Sequence, residues 1–209
     1  MKPYGDIMFT PTMLEAQARA GSQEANLARY QRLRPEGLGP DEVAFLQSRT
    51  TIYMATVTAD GWPYVQHRGG PVGFLKVLNP QTIGFTDYRG NRQFITTGNL
   101  VTDDRVSIFA MDYARKARLK LQGHGRMIDA ADDPDLAAQL ATPGQGRVER
   151  IMTITLAAFD WNCPQYITPR FDTAEMTALV GPELTRLETR NAELEAELAQ
   201  LRAQLGATE

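Results

Sequence analysis

Apolar and polar residues alternate with a period of two along the middle of the chain, which is typical of β-strands. The run Thr51–Thr58 is β-branched and alternating, a turn follows at Gly61, and Pro63–Arg68 returns as the second strand of a hairpin. A second hairpin follows, and Arg150–Phe159 is a later run of the same kind. Because only short helices separate the runs, the pattern predicts a mainly β (α+β) fold with six strands in an antiparallel barrel.

Helical patterns lie on either side of the predicted barrel. Thr12 followed by Glu15 fits a capping box, and Pro40-Asp41-Glu42 fits a helix start before an apolar stretch. The sequence therefore predicts an N-terminal helical extension over residues 1–47, a barrel domain over residues 48–171 and a C-terminal helix over residues 172–209.

A heptad repeat marks the C-terminal helix, because its apolar residues are spaced alternately by three and four positions. The a positions are Leu184, Asn191, Leu198 and Leu205, and the d positions are Leu187, Leu194 and Leu201. A single Asn at an a position favours a parallel two-stranded coil and fixes its register. The sequence therefore predicts a coiled coil between two copies of the chain, that is, a homodimer.

Charges beside this apolar seam agree with a parallel pair. Arg190 would face Glu195 of the second copy and Glu197 would face its Arg202, although one further facing pair is like-charged. Two other interpretations stay open. The helix could lie on its own barrel as a single amphipathic helix, or the coil could recruit a different protein while the barrel serves only as a scaffold.

Charge and composition narrow the classes of function. The chain has 209 residues, with 22 Lys and Arg against 25 Asp and Glu, and this slight acidic excess disfavours nucleic-acid binding. No stretch reaches the ~18 apolar residues of a membrane span, and the first ten residues lack the apolar core of a secretory signal. Cys163 is the only cysteine, so no disulfide can form within the chain and a cytoplasmic location is expected. From the charge and the hydropathy, we expect neither a nucleic-acid partner nor a membrane partner.

Several kinds of catalytic site are also disfavoured. One cysteine and two histidines, His67 and His124, cannot build a Cys-rich zinc site, and no metal site is expected. The sequence contains no GxxxxGK[ST] loop, no GxGxxG after a strand and no GxSxG turn. Nucleotide hydrolysis, Rossmann-type dehydrogenation and α/β-hydrolase chemistry therefore become poor candidates, and the residues alone name no catalytic group.

The segment from Gln66 to Leu100 concentrates Gly, Arg and Asn. His67–Pro71 ends a strand with two glycines, which would let a ligand approach the backbone closely. Asp87–Arg92 leads from a strand into a helical turn, where backbone N–H groups and nearby arginines would hold a phosphate. The alternative is that the arginines are solvated surface charges and the glycines are ordinary turn residues.

Four motifs in order along the chain resemble the pyridoxamine 5′-phosphate oxidase-like FMN-binding family. They are His67–Phe74, Phe85–Arg92, Thr97–Leu100 and Trp161–Arg170. The resemblance covers roughly residues 42–171. It implies a split β-barrel that dimerises and binds FMN in clefts at the subunit interface, and it implies an FMN-dependent oxidoreductase with a small-molecule redox substrate. No protein nucleophile is needed in such an enzyme, because the cofactor carries the reaction.

The resemblance also implies a set of cofactor-binding residues. They are His67, Arg68, Gly69, Gly70, Pro71, Thr86, Asp87, Tyr88, Arg89, Gly90, Asn91, Arg92, Asn99, Leu100, Asp112, Arg118 and Gln165. Within this set the resemblance assigns the flavin phosphate to Asn91 and Arg92. The segment Gly90–Gln93 departs from the Ser-Arg-Lys pattern of the pyridoxamine phosphate oxidases themselves, so a different substrate is expected. A non-catalytic module that holds a flavin, a deazaflavin or haem is the alternative.

Two residues near these motifs keep two interpretations each. Cys163 is either an inert buried packing residue or a redox thiol. His124, between two glycines of a predicted strand, is either a strand residue with a satisfied hydrogen bond or a proton donor near the flavin.

Overall fold

Seven strands form in the computed structural model, which describes residues 1–32, 35–161 and 163–206. The strands are β1 (Thr51–Val57), β2 (Pro63–Gly69), β3 (Lys76–Asn79), β4 (Thr82–Tyr88), β5 (Arg105–Asp112), β6 (Ala117–Asp129) and β7 (Val148–Trp161). They pair antiparallel in the order β2-β1-β5-β6-β7-β4-β3.

The α+β class is confirmed, but the predicted count of six strands is one too low and the sheet is not a closed barrel. The end strands β2 and β3 are not paired with each other in the described part of the chain. β3 has only four residues and carries a register irregularity between Val77 and Asn79. β3 lies largely within the first strand of the second predicted hairpin, residues 73–78, so the alternation indicated this strand and only the total count was too low.

Seven helices accompany the sheet in the described residues. They are α1 (Tyr4–Met8), α2 (Pro11–Arg19), α3 (Gln23–Arg32), α4 (Pro40–Gln47), α5 (Ile95–Thr102), α6 (Pro134–Leu140) and α7 (Thr173–Gly206). The predicted start of α4 at Pro40 is confirmed. The predicted capping box at Thr12 and Glu15 is wrong, because α2 begins at Pro11 and the Thr10 hydroxyl accepts the Met13 N–H. Proline fits the first helical position, since its missing N–H would have no partner there.

Alternation along the strands builds the main core. Ile52 and Met54 of β1 are fully buried, and α4 adds the fully buried Leu46. β6 and β7 contribute Leu121 and Ile154 to the same cluster. One side of the sheet is therefore closed by apolar packing, and the segments that carry the candidate site are attached to this rigid layer.

A buried carboxylate, Asp160 of β7, connects the N-terminal helices to the sheet. Arg29 Nη2 lies 3.1 Å from Asp160 Oδ1, and Lys120 Nζ lies 3.0 Å from Oδ2. The Tyr30 hydroxyl donates to Oδ2 at 3.1 Å. Burial together with the nearby Asp160 charge raises the pKa of Tyr30 to about 12. Tyr4 of α1 completes this contact, since Lys120 lies over its ring at 4.6 Å.

The chain divides into two compact units, Met1–Ile167 and Thr168–Glu209. The first unit contains the sheet and α1–α6, and the second contains α7. Across the residues that the structure describes, no helix has both the length and the apolar character needed to span a membrane.

Candidate functional site

A recess of about 260 Å³ lies where four segments of the first unit meet, and we call it the arginine recess. The segments are β2, the end of β4 with the following loop, the start of α5, and β7. The lining residues are Tyr64, Gln66, Arg68, Asp87, Tyr88, Gly90, Asn91, Arg92, Gln93, Phe94, Ile95, Thr96, Thr97 and Arg150.

Asp87 joins two arginines at the floor of the arginine recess. Its Oδ1 accepts from Arg68 Nη1 at 2.8 Å, and its Oδ2 accepts from Arg150 Nε at 3.0 Å and Nη2 at 2.8 Å. The three side chains are only 14–15% exposed. Charged hydrogen bonds of this kind fix both guanidinium groups in position. The pairing follows from sheet register, because Asp87 of β4 lies opposite Arg150 of β7.

A second polar contact orients Arg68 from the α5 side. Arg68 Nη2 lies 3.4 Å from Thr96 Oγ1, and the Thr96 hydroxyl donates to Gln66 Oε1 at 2.8 Å. The Nε of Arg68 is buried and has no hydrogen-bond partner. A buried N–H without an acceptor is costly, and an acceptor from a bound ligand would satisfy it.

The loop before α5 has an unusual backbone. Arg92 and Phe94 have φ values of 59° and 55°, in the left-handed region that residues other than Gly rarely adopt. Phe94 packs on two arginines, with guanidinium carbons 4.7 Å (Arg150) and 5.8 Å (Arg92) from its ring centroid. Asn91 Oδ1 accepts the Gln93 N–H at 3.2 Å. These contacts hold the exposed Arg92 at the rim of the recess.

Helix α5 directs its first turn at the recess because its second turn is anchored in the core. Asn99 is buried, and its Nδ2 donates to Thr56 Oγ1 of β1 at 2.8 Å. Ile95, Thr96 and Thr97 of the first turn line the recess. First-turn N–H groups have no partner within their helix and favour an anion, and the Phe94 side chain makes no cap there.

The charges of the arginine recess favour a dianion. Among the lining residues, Arg68, Arg92 and Arg150 supply three guanidinium groups against the single carboxylate of Asp87, an excess of two positive charges, while Glu149 lies outside the lining at 3.7 Å from Arg150. A phosphate monoester carries close to two negative charges at neutral pH. The recess and a phosphate are therefore complementary in charge. The recess also offers hydrogen-bond donors to phosphate oxygens, and one of these oxygens would accept the hydrogen bond of Arg68 Nε.

Six of the residues that the resemblance implies line the arginine recess together. They are Arg68, Asp87, Tyr88, Gly90, Asn91 and Arg92. Three more lie on β4 and α5, two of the elements that line the recess. Thr86 is buried in β4, Asn99 anchors α5, and Leu100 packs against the core. Arg89 lines a neighbouring recess and reaches Glu149 at 4.0 Å.

The other implied residues lie outside this recess. His67 is exposed on the opposite side of β2, where its ring packs edge-on against Tyr53 at 5.8 Å. The Cβ position at Gly70 would meet Phe74 at 2.5 Å, so this glycine makes room for a core side chain. Gly69, Pro71 and Gln165 are exposed.

Asp112 and Arg118, from the same implied set, take part in structural contacts. Asp112 is 2% exposed and accepts from Arg49 Nη2 at 2.8 Å and from the Arg115 N–H at 2.9 Å. Burial by itself would raise the pKa of Asp112, but these hydrogen bonds and the Arg49 charge hold it below its ordinary value. The Arg118 guanidinium lies over the Phe109 ring at 5.1 Å.

Several residues that line the recess are not among those predicted from the sequence, and Arg150 is the most important of them. Arg150 is the first residue of the predicted strand and directly follows Glu149, so the only signal is a charge at the start of an apolar and β-branched run, which needs a partner if it faces inward. Gln66 and Thr96 carry no comparable signal. Their roles depend on α5 lying over β2, which local sequence patterns do not encode.

The residues with two interpretations have definite surroundings. Cys163 is exposed, so its interpretation as buried packing is wrong. His124 Nδ1 lies 2.8 Å from Asp104 Oδ1, in a different recess from Arg68. Within the described residues, no group of three His, Cys, Asp or Glu side chains is arranged to hold a metal ion.

Comparison with known proteins identifies the family. The family model described as pyridoxamine 5′-phosphate oxidase matches residues 38–156, more than half of the chain. The chain therefore belongs to the pyridoxamine 5′-phosphate oxidase family. The match includes the whole arginine recess and ends before α7. No curated protein matches the chain.

The chain is similar to several solved structures at low sequence identity. HupZ of Group A Streptococcus is 15% identical with a TM-score of 0.50, and the alignment covers 64% of this chain and all of HupZ. A protein of Clostridium acetobutylicum related to general stress protein 26 is 12% identical, with coverage of 58% and 85% and a TM-score of 0.45. An FAD-binding protein of Mycobacterium smegmatis is 18% identical, with coverage of 60% and 95% and a TM-score of 0.42.

Proposed function

We propose that this protein is an FMN-dependent oxidoreductase that binds its flavin at the interface between two copies of the chain. The observation that carries the proposal is the arginine recess, in which Asp87 fixes Arg68 and Arg150 beside the exposed Arg92. The proposal assigns the flavin phosphate to this recess. Arg92, the free Nε of Arg68 and the first-turn N–H groups of α5 are its donors.

The size of the recess supports a site that a second copy completes. At about 260 Å³ it is smaller than the roughly 300–1,000 Å³ of pockets that enclose a drug-sized ligand. It has room for the phosphate end of FMN but not for the whole molecule. The ring system would therefore lie outside the recess, where a second surface must cover it.

A candidate for that second surface borders the recess. Successive side chains of β2 alternate, so that Gln66 and Arg68 line the recess while Val65 and His67 face the other side. Val65 is 63% exposed, and Tyr53 of β1 stands opposite His67 in the register. The N-terminal helices cover the β6 part of this side through Tyr4, which contacts Lys120 and Gln122, whereas Val65 stays exposed. We assign this face to dimer formation.

The chemistry of the proposed enzyme comes from the cofactor. Bound FMN supplies two-electron redox chemistry, so the chain needs only to hold, orient and shield it. In this scheme Asp87 positions the arginines, Asn99 holds α5 in place, and the Phe94 ring packs against the guanidinium groups of Arg92 and Arg150.

The visible absorption spectrum of the purified protein tests the proposal first. We expect a flavin spectrum, and mass analysis of the molecule released by heat should identify FMN. A colourless protein that also fails to bind added FMN would contradict the proposal. Anaerobic bleaching of the flavin by candidate donors then separates an oxidoreductase from a module that only stores or senses the cofactor.

Riboflavin provides a matched control for the recess, because it lacks only the phosphate of FMN. The recess offers several charged hydrogen bonds, each worth about 1.5–3 kcal/mol. We therefore expect FMN to bind at least about tenfold more tightly than riboflavin. Equal affinities would show that the phosphate does not occupy the arginine recess.

A further inference from the structure

The second unit carries a stripe of exposed leucines on α7. α7 is a 34-residue helix, and its a and d leucines are exposed along its length. The exposed fraction is 54% for Leu184, 45% for Leu187, 42% for Leu194, 47% for Leu198 and 54% for Leu201. This helix lies beyond residues 38–156, so the family match says nothing about its role.

The charges beside the stripe fit a second copy of the same helix in parallel orientation. In a parallel pair, Arg190 faces Glu195 of the other copy and Glu197 faces Arg202, and each contact occurs twice. Only Glu183 and Glu188 face each other with like charge. In the structure Glu183 already pairs with Arg186 of its own helix, which reduces this repulsion.

An antiparallel pair fits less well. With Asn191 placed beside Leu194 of the other copy, Arg190 would face Glu197 while Glu188 would face Glu195. Attractive and repulsive contacts would then be equal in number, and the Asn191 amides would lie against leucine. In the parallel pair the two Asn191 side chains meet and can hydrogen-bond to each other.

We propose that α7 pairs in parallel with α7 of a second copy, and that this coil keeps the flavin site assembled at low protein concentration. The second part rests on the proposed function, since it requires a flavin site shared between two copies. A coil that joins the chains converts barrel association into an intramolecular step, which raises the effective concentration of one barrel for the other.

The short length of the seam makes it suited to this tethering role. The heptads begin at Leu184, directly after Gly181-Pro182, and extend over about three repeats to Leu205. A coil of this length is marginal by itself. Two weak interfaces in one chain, the coil and the face around Val65, therefore reinforce each other.

A pair of full-length variants tests the coil. Leu194→Glu with Leu201→Glu places two charges in the d layer, whereas Ala196→Glu with Ala203→Glu adds the same charges at f positions on the outer side. We expect the d-layer variant to dissociate at a protein concentration at least about tenfold higher than the wild type, because buried leucines are lost. The f-position variant should behave as the wild type in sedimentation over a dilution series.

Flavin retention in the same dilution series tests the tether. The d-layer variant should hold FMN at high protein concentration and release it on dilution before the wild type does. Unchanged dimerisation of this variant would overturn the coil, while a wild type that never binds FMN would overturn the proposed function and leave sedimentation as the test of the coil. Altered dimerisation with unchanged flavin retention would overturn the tether alone.

Disulfide formation tests the orientation. In a Cys163→Ser background, Leu198→Cys brings the two introduced thiols together only in a parallel pair, because in the antiparallel register position 198 faces Leu187. Ala196→Cys in the same background is the control on the outer side. We expect rapid cross-linking of the first variant alone, and absence of cross-linking in both would overturn the parallel arrangement.

Discussion

Asp87 shows how a single residue sets the geometry of the candidate site. One carboxylate holds two guanidinium groups, and the resulting ion cluster is nearly buried. Its role is therefore to position the arginines, and the side chains left to meet a ligand are Arg92 and the free edge of Arg68.

Arg92→Ala should weaken FMN binding, because it removes a charged donor to the phosphate without disturbing the Asp87 cluster. The expected loss is about 1.5–3 kcal/mol in binding free energy, measured by fluorescence titration of the apoprotein. Arg89→Ala is the matched control, since it removes the same charge from a neighbouring exposed position that does not line the recess. Equal effects of the two substitutions would remove Arg92 from the phosphate site.

Asp112 should make the fold sensitive to acid. Its pKa is lowered in the folded state, so its contribution to stability is present above the unfolded value of about 3.9 and is lost as the pH falls below it. Asp112→Asn should lower the free energy of unfolding by about 3–5 kcal/mol at neutral pH, because it leaves the Arg49 charge without its partner. It should also make the free energy of unfolding depend less on pH in the acid range. Urea unfolding from pH 2 to 7 measures both effects.

The exposed Asp60, in the turn between β1 and β2, provides the control for Asp112. Asp60→Asn makes the same chemical change without a buried arginine partner. It should leave the urea midpoint of unfolding and the pH dependence of that midpoint unchanged. If the free energy of unfolding fell equally with decreasing pH in the wild type and in Asp112→Asn, Asp112 would be excluded as the source of the acid sensitivity.

At the scale of elements, close packing of β6 against β7 depends on Gly123. A Cβ there would meet the Thr155 carbonyl oxygen at 2.6 Å and Ile154 Cγ2 at 2.9 Å, at a register irregularity between the two strands. Gly123→Ala should therefore lower the free energy of unfolding by about 1–3 kcal/mol in urea titrations. Gly98→Ala, in α5 with open space at its Cβ, should instead raise it by about 0.5–1 kcal/mol. We therefore expect the two substitutions to change the free energy of unfolding in opposite directions.

Most helices and strands could be predicted from the sequence, and the errors concern boundaries and counts that local patterns do not determine. The start of α4 followed from Pro40 and Glu42, and the hairpin β1–β2 followed from alternation around Gly61. The start of α2 was misplaced because Thr10 and Thr12 are both capable caps, and only the position of Pro11 in the helix decides between them. β3 belongs to the second predicted hairpin, so this strand was indicated by the sequence and only the total number of strands was predicted too low.

At the scale of the whole molecule, Asn191 is the residue that should limit the number of copies that associate. Asn191→Leu should strengthen association and permit more than one oligomeric state, because the polar pair no longer penalises other registers. Sedimentation velocity measures both effects. Ala192→Leu adds the same side chain outside the seam and should change neither, and a monomeric Asn191→Leu protein at all concentrations would contradict the coil.

The sequence by itself determined the strand and helix types, the family motifs and the heptad spacing of α7. These features are local, since a few neighbouring residues carry each period or motif. Tertiary structure alone decided which of the implied residues meet. Arg150 pairs with Asp87 across 63 residues, because sheet register places β7 beside β4, and Thr96 reaches Gln66 because Asn99 pins α5 on β1. The same register turned His67 away from the recess, since successive side chains of a strand point to opposite faces.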